Sequence, residues 1–254
     1  MNTPKYHELI DGTMPPRVRR LIKQAGRTVN KFSMVRSGDR VLLGISGGKD
    51  SLVLALALSL RRKWLPVTYA LQGVLINWKE HPVDPVMVQQ LHDYFSLLNI
   101  PLKVIDAEMF SPSFQGEFNC YLCSRNRRRI LFQEAADQGI SLVAMGHHID
   151  DLVETTLINL CFRSDFSTML PVQEFFSGKL HIIRPLIEIR EHAVNRLAEE
   201  YELPVCKPVC PYDKTNIRSR LKPVIRDLAR IDKLTREHVF NAHKFSCRIP
   251  RHES

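Results

Sequence analysis

The chain has 254 residues, 44 % of them hydrophobic, enough to bury one sizeable core with small appendages. Its 36 Lys and Arg against 27 Asp and Glu give a formal charge of +9, high for a small-metabolite enzyme and suited to a polyanion such as nucleic acid, although charge alone equally fits a basic surface with no partner. No apolar run approaches the roughly 20 residues that span a bilayer, and the N-terminus lacks a secretion signal, so we expect a cytoplasmic protein with no membrane partner.

Residues 16–33 carry apolar side chains at the three- and four-residue spacing of one helix face. Another side of the same segment is basic, with Arg17, Arg20, Lys23, Arg27 and Lys31. The pattern predicts an amphipathic helix within an N-terminal segment of residues 1–36. Its basic side is either a solvated face or part of a nucleic-acid surface.

Short β-rich runs then alternate with helical patterns. They predict strands at 40–45, 67–77, 102–106, 141–145 and 181–184, and helices at 51–63, 84–98, 124–138, 151–161 and about 188–202. Such alternation implies right-handed crossovers and a parallel sheet covered by helices on both faces, so we predict an α/β, Rossmann-like domain. Ligands of such sheets bind at the carboxyl ends of the strands.

Further predictions concern the second half of the chain. The α/β domain should span residues 37–204, with 163–180 as a loop and Cys161 as a small buried side chain. A basic, helical extension should occupy residues 205–254. It carries a stripe of basic residues at steps of four, which suits a phosphate backbone: Arg218, Lys222, Arg226 and Arg230. Pro223 should interrupt a continuous helix there, unless it lies in the first turn or marks a kink.

A glycine turn follows the first predicted strand, where residues 46–51 read Ser-Gly-Gly-Lys-Asp-Ser. A strand that leads through such a turn into a helix directs backbone N–H groups and the helix dipole at one point, where an anion can bind. The plainer interpretation is an ordinary strand-to-helix turn, but that does not require Lys49 and Asp50 side by side. The ATPase pattern G-x-x-x-x-G-K-[ST] does not fit, because Asp50 follows Lys49.

A second polar segment, residues 146–155, follows a later predicted strand and reads Gly-His-His-Ile-Asp-Asp-Leu-Val-Glu-Thr. Asp150 at a helix start makes a good N-cap, and Glu154 adds early negative charge, so a structural role is one interpretation. Adjacent carboxylates beside a phosphate loop also suit Mg²⁺, which takes one or two carboxylates together with phosphate oxygens.

The cysteines form two short patterns. Cys120 and Cys123 make a C-x-x-C that precedes an arginine cluster, Arg125 and Arg127 to Arg129, while Cys206 and Cys210 make a C-x-x-x-C. A lone C-x-x-C fits redox chemistry, zinc or an Fe–S cluster equally. A helix N-terminus and nearby arginines would lower the thiol pKa, which favours thiolate ligation or nucleophilic sulfur.

Residues 46–51 resemble the PP-loop of the ATP pyrophosphatase superfamily, S-G-G-x-D-S, and residues 146–155 resemble the G-H-x-x-D-D-x-x-E-T motif of its tRNA-modifying members. The cysteines narrow the resemblance to its cluster-dependent tRNA thiolases, the TtcA/TtuA branch, and within it to the 2-thiocytidine enzymes. The resemblance covers roughly residues 18–240. Asp213 stands where those enzymes carry a last cysteine, which leaves the modified nucleoside open.

The resemblance implies an adenine nucleotide α-hydrolase-like fold and an enzyme that splits ATP between the α and β phosphates, adenylates a nucleobase oxygen and replaces it with sulfur. It implies Lys49, Asp50 and Asp151 as catalytic residues, with Mg²⁺ on Asp50 or Asp151. A [4Fe–4S] cluster would be held by Cys120, Cys123 and Cys210, with Cys206 ranked below them. The nucleotide would contact Leu43, Gly44, Ser46, Gly47, Gly48, Lys49, Asp50, Ser51, Ile76, Arg127, Gly146 and Asp151.

The implied partners are tRNA and a sulfur donor, either a cysteine desulfurase or free sulfide, and a homodimer is one candidate assembly. Three alternatives stay open. Cys120 or Cys123 would carry a persulfide that Cys210 resolves; the chain would be a PP-loop enzyme of different chemistry with structural zinc; or it would be a non-catalytic nucleotide- and RNA-binding protein.

Overall fold

The structure is a computed structural model that describes residues 4–11, 14–62, 68–110, 120–206 and 217–244. The strands in these ranges are β1 (Arg40–Ile45), β2 (Ala70–Trp78), β3 (Leu102–Ala107), β4 (Leu142–Ala144), β5 (Val172–Phe175) and β6 (Leu180–Ile183). A 3-10 turn (Lys5–His7) precedes the helices, which are α1 (Glu8–Asp11), α2 (Pro16–Lys31), α3 (Lys49–Arg62), α4 (Pro85–Leu97), α5 (Cys120–Asp137), α6 (Ile149–Arg163), α7 (Glu191–Glu200), α8 (Ile217–Ile231) and α9 (Thr235–Ala242).

The six strands form one sheet in the order β3-β2-β1-β4-β6-β5. Every neighbouring pair is parallel except β5 and β6. The predicted parallel α/β fold is therefore confirmed. The chain leaves β1 towards β2 and β3, then returns to pair β4 on the other side of β1, and this switch point is where ligands of open α/β sheets bind.

The central elements are buried on all sides, as their composition dictates. In β1, Val41, Leu42, Leu43 and Ile45 are each at most 3 % exposed, which matches the continuous apolar run of a parallel strand covered on both faces. Helix α3 is buried from residue 51 to residue 61 and packs against α2 and α7. Its N-terminus therefore meets the carboxyl end of β1 inside the protein, at the predicted phosphate loop.

Two predictions about the second half of the chain are wrong, on the segment 163–180 and on Cys161. The segment 163–180 contains β5, which pairs with β6 through a turn where Gly178 has φ +83°, and the Ser and Phe content hid this short alternating strand. Cys161 is exposed, because the last turns of α6 project beyond the core. Helix α8 continues through Pro223, whose missing N–H costs a hydrogen bond but does not end the helix.

Other expectations hold or lie beyond what the structure tests. Helix α2 buries the predicted apolar face, including Val18, Leu21 and Ala25, although it ends at Lys31. The domain boundaries at residues 36 and 204 stay predictions, and Cys210 and Asp213 lie outside the described residues. Within the described ranges, no helix combines the length and the apolar character needed to cross a membrane.

Candidate active site

The phosphate loop is shaped by its glycines and serines. Gly47 has φ +75°, a left-handed conformation that favours glycine. The Ser51 hydroxyl donates to the Gly48 carbonyl at 2.8 Å, and the Ser46 and Gly48 backbone N–H groups lie 3.3 Å from the Ser51 and Ser46 hydroxyls respectively. The loop thus curls over the N-terminus of α3, whose first N–H groups have no partner within the helix and can bind an anion.

Cys206, the last residue of the described range 120–206, packs on this loop. The Cys206 backbone N–H donates to the Gly47 carbonyl at 2.8 Å, and a Cβ placed on Gly47 would lie only 2.9 Å from the Cys206 carbonyl oxygen. The Cys206 side chain is buried, and burial raises the pKa of its thiol. Cys206 therefore packs against the phosphate loop, and its rank among the cluster ligands stays a prediction.

Gly47→Ala is expected to weaken ATP binding at least about tenfold, because the methyl group would push the loop N–H groups off their positions. Backbone strain should also cost about 1–3 kcal/mol of stability. Calorimetric ATP titration and thermal unfolding measure the two effects. Gly178→Ala is the matched control, since Gly178 has φ +83° but lies in the β5–β6 turn, and its Cβ would meet nothing closer than 3.6 Å. Equal ATP affinities for the two variants would contradict this role of Gly47.

The two motifs touch through Gly146. A Cβ on Gly146 would lie 2.7 Å from the backbone carbonyl of Asp50, so only glycine allows this approach. The His148 ring bridges the two motifs. Its Nδ1 accepts a hydrogen bond from the Asp151 backbone N–H at 3.3 Å, and its Nε2 lies 3.8 Å from Asp50 Oδ1. The predicted neighbours Ser46, Asp50, Gly146 and Asp151 are thus brought together, one motif from the end of β1 and the other from the end of β4.

Asp150 is a structural carboxylate. Its Oδ2 accepts the backbone N–H of Glu191 at 2.7 Å, which caps the start of α7, and its Oδ1 pairs with the Arg236 guanidinium of α9. Burial alone would raise the pKa of Asp150, but these two contacts hold it below the ordinary value. Both oxygens of this buried side chain are therefore engaged in joining α6, α7 and α9.

Asp151, unlike Asp150, keeps part of its carboxylate available on the side of the phosphate loop. Its Oδ2 accepts the His148 backbone N–H at 2.9 Å and completes a capping box at the start of α6. Its Oδ1 lies 3.7 Å from Arg218 Nη1, and about a fifth of the side chain is exposed. Of the two adjacent aspartates, Asp151 is the one that retains an oxygen for a ligand.

Asp50 offers the second oxygen. Its Oδ1 is buried and receives no hydrogen bond of good geometry from the described residues, although the Lys49 ammonium lies 3.3 Å away. Burial raises the pKa of this carboxyl, and Lys49 and His148 only partly counter it. A buried, undersatisfied carboxylate oxygen facing a phosphate loop and Asp151 fits Mg²⁺, which takes one or two carboxylates and completes its shell with phosphate oxygens.

Lys49 belongs to a chain of charges that the sequence did not reveal. Its ammonium lies 3.6 Å from Glu191 Oε1, and the same oxygen accepts from Lys222 at 2.9 Å. Glu191 thus connects the phosphate loop to α8. No motif marks Glu191 or Arg236, and only the fold brings α7 and α9 against the second motif.

Glu154 lies beneath this network, 3 % exposed and 4.0 Å from the Lys222 ammonium. Burial first, and then the nearby Asp151, raise the pKa of Glu154 to about 7 from an ordinary 4.5. The folded protein therefore holds this proton more tightly than the unfolded chain. The stability that the carboxyl contributes is fully present below about pH 4.5 and is lost as pH rises through about 7.

Glu154→Gln should remove this pH dependence. Without nucleotide, the variant should match the wild type near pH 5 and exceed its stability at pH 8 by up to about 3 kcal/mol. Urea unfolding at the two pH values measures the difference. Glu174→Gln, which changes an exposed carboxyl on β5, serves as the control and should leave the pH dependence unchanged. A variant less stable than the wild type at pH 8 would contradict the assignment.

The remaining predicted nucleotide contacts differ in burial and in distance from the ligand-binding edge. Leu43 and Ile76 are core side chains, at most 5 % exposed, so only their backbone atoms can face adenine. Gly44 lies against Met145, whose sulfur would be 2.7 Å from an added Cβ. Arg127 places its guanidinium 5.8 Å from the ring centre of Trp78 at the end of β2, which keeps it at the ligand-binding edge.

Arg184 and His147 form a pair at the same edge. The Arg184 Nε donates to His147 Nδ1 at 3.3 Å, while its Nη2 donates to Gln173 at 3.1 Å. Burial, followed by the charges of Arg184, Arg218 and other nearby basic groups, holds the pKa of His147 well below its usual value. His147 is therefore a neutral imidazole within the second motif.

The cysteine triad is only partly described. Cys120 and Cys123 lie in the first turn of α5, and Cys123 is half-buried and not in a disulfide. The side chain of Cys120 and all of Cys210 lie outside the described residues. In the part of the chain that the structure describes, no three His, Cys, Asp or Glu side chains converge as a preformed metal site. The cluster ligands stay a prediction.

The basic stripe of α8 does not face outward as a unit. Arg218 donates to Thr155 at 3.3 Å and Lys222 to Glu191 at 2.9 Å, so both turn towards the second motif. Arg230 pairs with Asp227 at 2.8 Å on its own helix. Of the four predicted phosphate contacts, only Arg226 has no partner among the described residues.

The chain is similar in sequence to known proteins. The family model of the PP-loop domain matches residues 19–228. A tRNA-cytidine(32) 2-sulfurtransferase of Alkalilimnicola ehrlichii is 31 % identical over 229 residues, covering 88 % of this chain and 72 % of the relative. One of Paraburkholderia phytofirmans is 32 % identical over 242 residues, covering 92 % of this chain and 70 % of the relative.

A solved structure shares the fold. It is the U34-tRNA thiolase NcsA from Methanococcus maripaludis with its [4Fe–4S] cluster, which aligns with a TM-score of 0.73 at 22 % identity over 96 % of this chain and 84 % of that one. At this identity the likeness shows the fold alone.

Proposed function

This chain belongs to the PP-loop domain family, and we propose that it is an ATP-dependent tRNA sulfurtransferase that converts a cytidine of tRNA to 2-thiocytidine. The observation that carries the proposal is the contact of the PP-loop with the second motif at Gly146 and His148, which supports a joint role of Lys49, Asp50 and Asp151 in ATP binding. Relatives at 31 % and 32 % identity that carry the name tRNA-cytidine(32) 2-sulfurtransferase support the substrate, with position 32 as the expected nucleotide.

In the first step, the PP-loop holds the β and γ phosphates of ATP against the N-terminus of α3. The C2 oxygen of the cytidine attacks the α phosphorus, a new O–P bond forms, and pyrophosphate leaves. Lys49 neutralises charge that develops on the leaving pyrophosphate, and Glu191 positions Lys49 through its 3.6 Å contact. The product is a base whose C2 carries AMP as a leaving group.

In the second step, hydrosulfide attacks C2 of the adenylated base and the C2–O bond breaks. AMP departs with the former base oxygen, and the attacking sulfur loses its proton and becomes the C=S group. The buried Arg184 and the partly exposed Arg218 give this edge positive charge, which favours the departing phosphate. No oxidant or reductant is consumed, provided that the donor delivers sulfur at the sulfide level.

Mg²⁺ fits the two carboxylates that the site leaves undersatisfied, Asp50 and Asp151. Bound there with the phosphates of ATP, it would withdraw electron density from the α phosphorus. Asp150 takes no part, because both its oxygens are engaged within the protein.

A [4Fe–4S] cluster suits the soft sulfur donors Cys120, Cys123 and Cys210. The first two occupy the first turn of α5, where the helix dipole favours thiolates, and Cys123 is not consumed by a disulfide. When bound, such a cluster supplies an iron without a protein ligand, which can hold the sulfide to be transferred.

The chemistry requires a base whose C2 oxygen is accessible. Paired bases in A-form stems are not, so a single-stranded loop of tRNA is the expected target. We place the reaction in the cytoplasm, with free sulfide as the sulfur donor, or a cysteine desulfurase whose persulfide sulfur a thiol first reduces to sulfide. A homodimer stays a prediction.

The test is a reaction of anaerobically reconstituted protein with unmodified tRNA, ATP, Mg²⁺ and sulfide, followed by mass spectrometry of the tRNA nucleosides. We expect 2-thiocytidine, with one AMP and one pyrophosphate for each thionucleoside. Omission of ATP should abolish it. Formation of AMP and pyrophosphate with a nucleobase product that contains no sulfur would overturn the proposal in favour of another PP-loop reaction.

A further inference from the structure

Helices α2, α6, α7, α8 and α9 line a row of three adjoining cavities beside the active site, here called the basic groove. It consists of three cavities of about 330, 390 and 700 Å³. The first two share Arg190 and His192, and the last two share Arg20 and Glu188. The groove thus runs from Glu154 of the second motif to the outer face of α2.

Charge distinguishes this groove. Nine Lys or Arg side chains and six Asp or Glu side chains line it. Each of the six carboxylates lies within 4.0 Å of a Lys or Arg. The carboxylates are thus already neutralised inside the protein, and the surplus charge of the groove is positive.

Three arginines account for this surplus. Arg20, Arg27 and Arg226 line the groove and are exposed, and they make no hydrogen bond or ion pair with another described residue. Arg20 and Arg27 are two turns apart on one side of α2, about 10 Å along its axis. Arg226 lies at the end of the groove near Glu154. These guanidinium groups are therefore available to a ligand, at positions spread along the groove.

The chemistry of the groove selects an extended polyanion. Guanidinium groups match phosphate oxygens in a bidentate geometry. A lipid surface would need apolar anchors, but none of the exposed large apolar side chains of the described residues lines the groove. A small anion would not need contacts distributed over three cavities.

We propose that the basic groove binds the phosphate backbone of the substrate tRNA, through Arg20, Arg27 and Arg226. The inference rests on the proposed function and adds the surface that holds the substrate. The RNA strand runs from α2 along α7 to the end beside the second motif, where the target base enters. Of the stripe on α8, this surface uses Arg226, because Arg218 and Lys222 are bound to the second motif and Glu191.

The test compares two triple charge reversals in the full-length protein. The groove variant carries Arg20→Glu, Arg27→Glu and Arg226→Glu. The control carries Arg19→Glu, Arg40→Glu and Lys179→Glu, three exposed positions that do not line the groove, with the same change in net charge. The affinity for unmodified tRNA is measured by filter binding over a range of salt concentrations, and ATP affinity by calorimetry.

We expect the groove variant to bind tRNA about 10- to 100-fold more weakly than the control, with the slope of log K against log salt reduced by roughly 2 to 3, as loss of three phosphate contacts predicts. Its ATP affinity should stay within about twofold of the wild type.

If the wild type binds tRNA and the two variants bind it equally well, the proposed role of the groove is overturned and the proposed function stands. Absence of tRNA binding in the wild type would instead remove the function. A groove variant that loses affinity for polyglutamate but not for tRNA would assign the groove to an acidic protein and overturn the inference.

Discussion

Asp151→Asn is expected to reduce ATP-dependent thiolation by about 10²- to 10³-fold while the protein stays folded. The amide oxygen can still accept the His148 backbone N–H, now 2.9 Å from Asp151 Oδ2, so the capping box survives. What is lost is the negative charge beside the PP-loop that would hold Mg²⁺. The rate of AMP release with saturating tRNA measures the effect.

Substitution of the neighbouring Asp150 should instead lower the stability of the fold. Asp150→Ala should unfold more readily, since it leaves the Arg236 guanidinium and the Glu191 N–H without their partner. Breaking such a buried pair costs about 3–5 kcal/mol, or roughly 10 °C in Tm for a chain of this size. Where Asp150→Ala remains folded, it should retain more thiolation activity than Asp151→Asn. The reverse order of the two activities would show that the roles are exchanged.

Cys123→Ser is expected to lose bound iron and thiolation together while it retains ATP binding. The residue lies in the first turn of α5, whereas the PP-loop is built from β1 and α3, so the two functions are separable. Iron and sulfide analysis after anaerobic purification, with calorimetric ATP titration, measures both.

The chain offers two matched controls for this variant. Cys161→Ser changes an exposed thiol, and Cys206→Ser changes a buried one against Gly47. Both should keep their iron, and Cys206→Ser should affect ATP binding instead. Zinc without iron in the wild type would replace the cluster with a structural metal, and full thiolation by an iron-free protein would favour the persulfide route.

The alternation of apolar strands and helices was sufficient to predict the sheet, because a parallel strand buried on both faces leaves a continuous apolar run that is easily recognised. The two motifs were expected at one edge of the sheet because each follows a predicted parallel strand, and the structure adds that these strands, β1 and β4, are neighbours. Strand β5 was missed because it is an edge strand of four residues whose only partner is β6. A strand that short carries too little periodicity to separate it from a loop.

The parts of the site that sequence reasoning missed are those created by tertiary contacts. The two aspartates of the second motif look alike in the sequence, and only the approach of Glu191 and Arg236 makes Asp150 structural. Likewise, the stripe on α8 looked like a phosphate surface, but the acidic start of α6 and α7 engages half of it. Charge patterns along one helix do not reveal which of their members the rest of the protein neutralises.

The most direct test of the proposed function follows the oxygen that sulfur replaces. A tRNA that carries ¹⁸O at C2 of the target cytidine is incubated with the protein, ATP, Mg²⁺ and sulfide, and AMP and the nucleosides are analysed by mass spectrometry. We expect one ¹⁸O in the phosphate of AMP for each 2-thiocytidine formed, because the base oxygen leaves bound to the α phosphorus. Unlabelled AMP alongside 2-thiocytidine would contradict adenylation of the base.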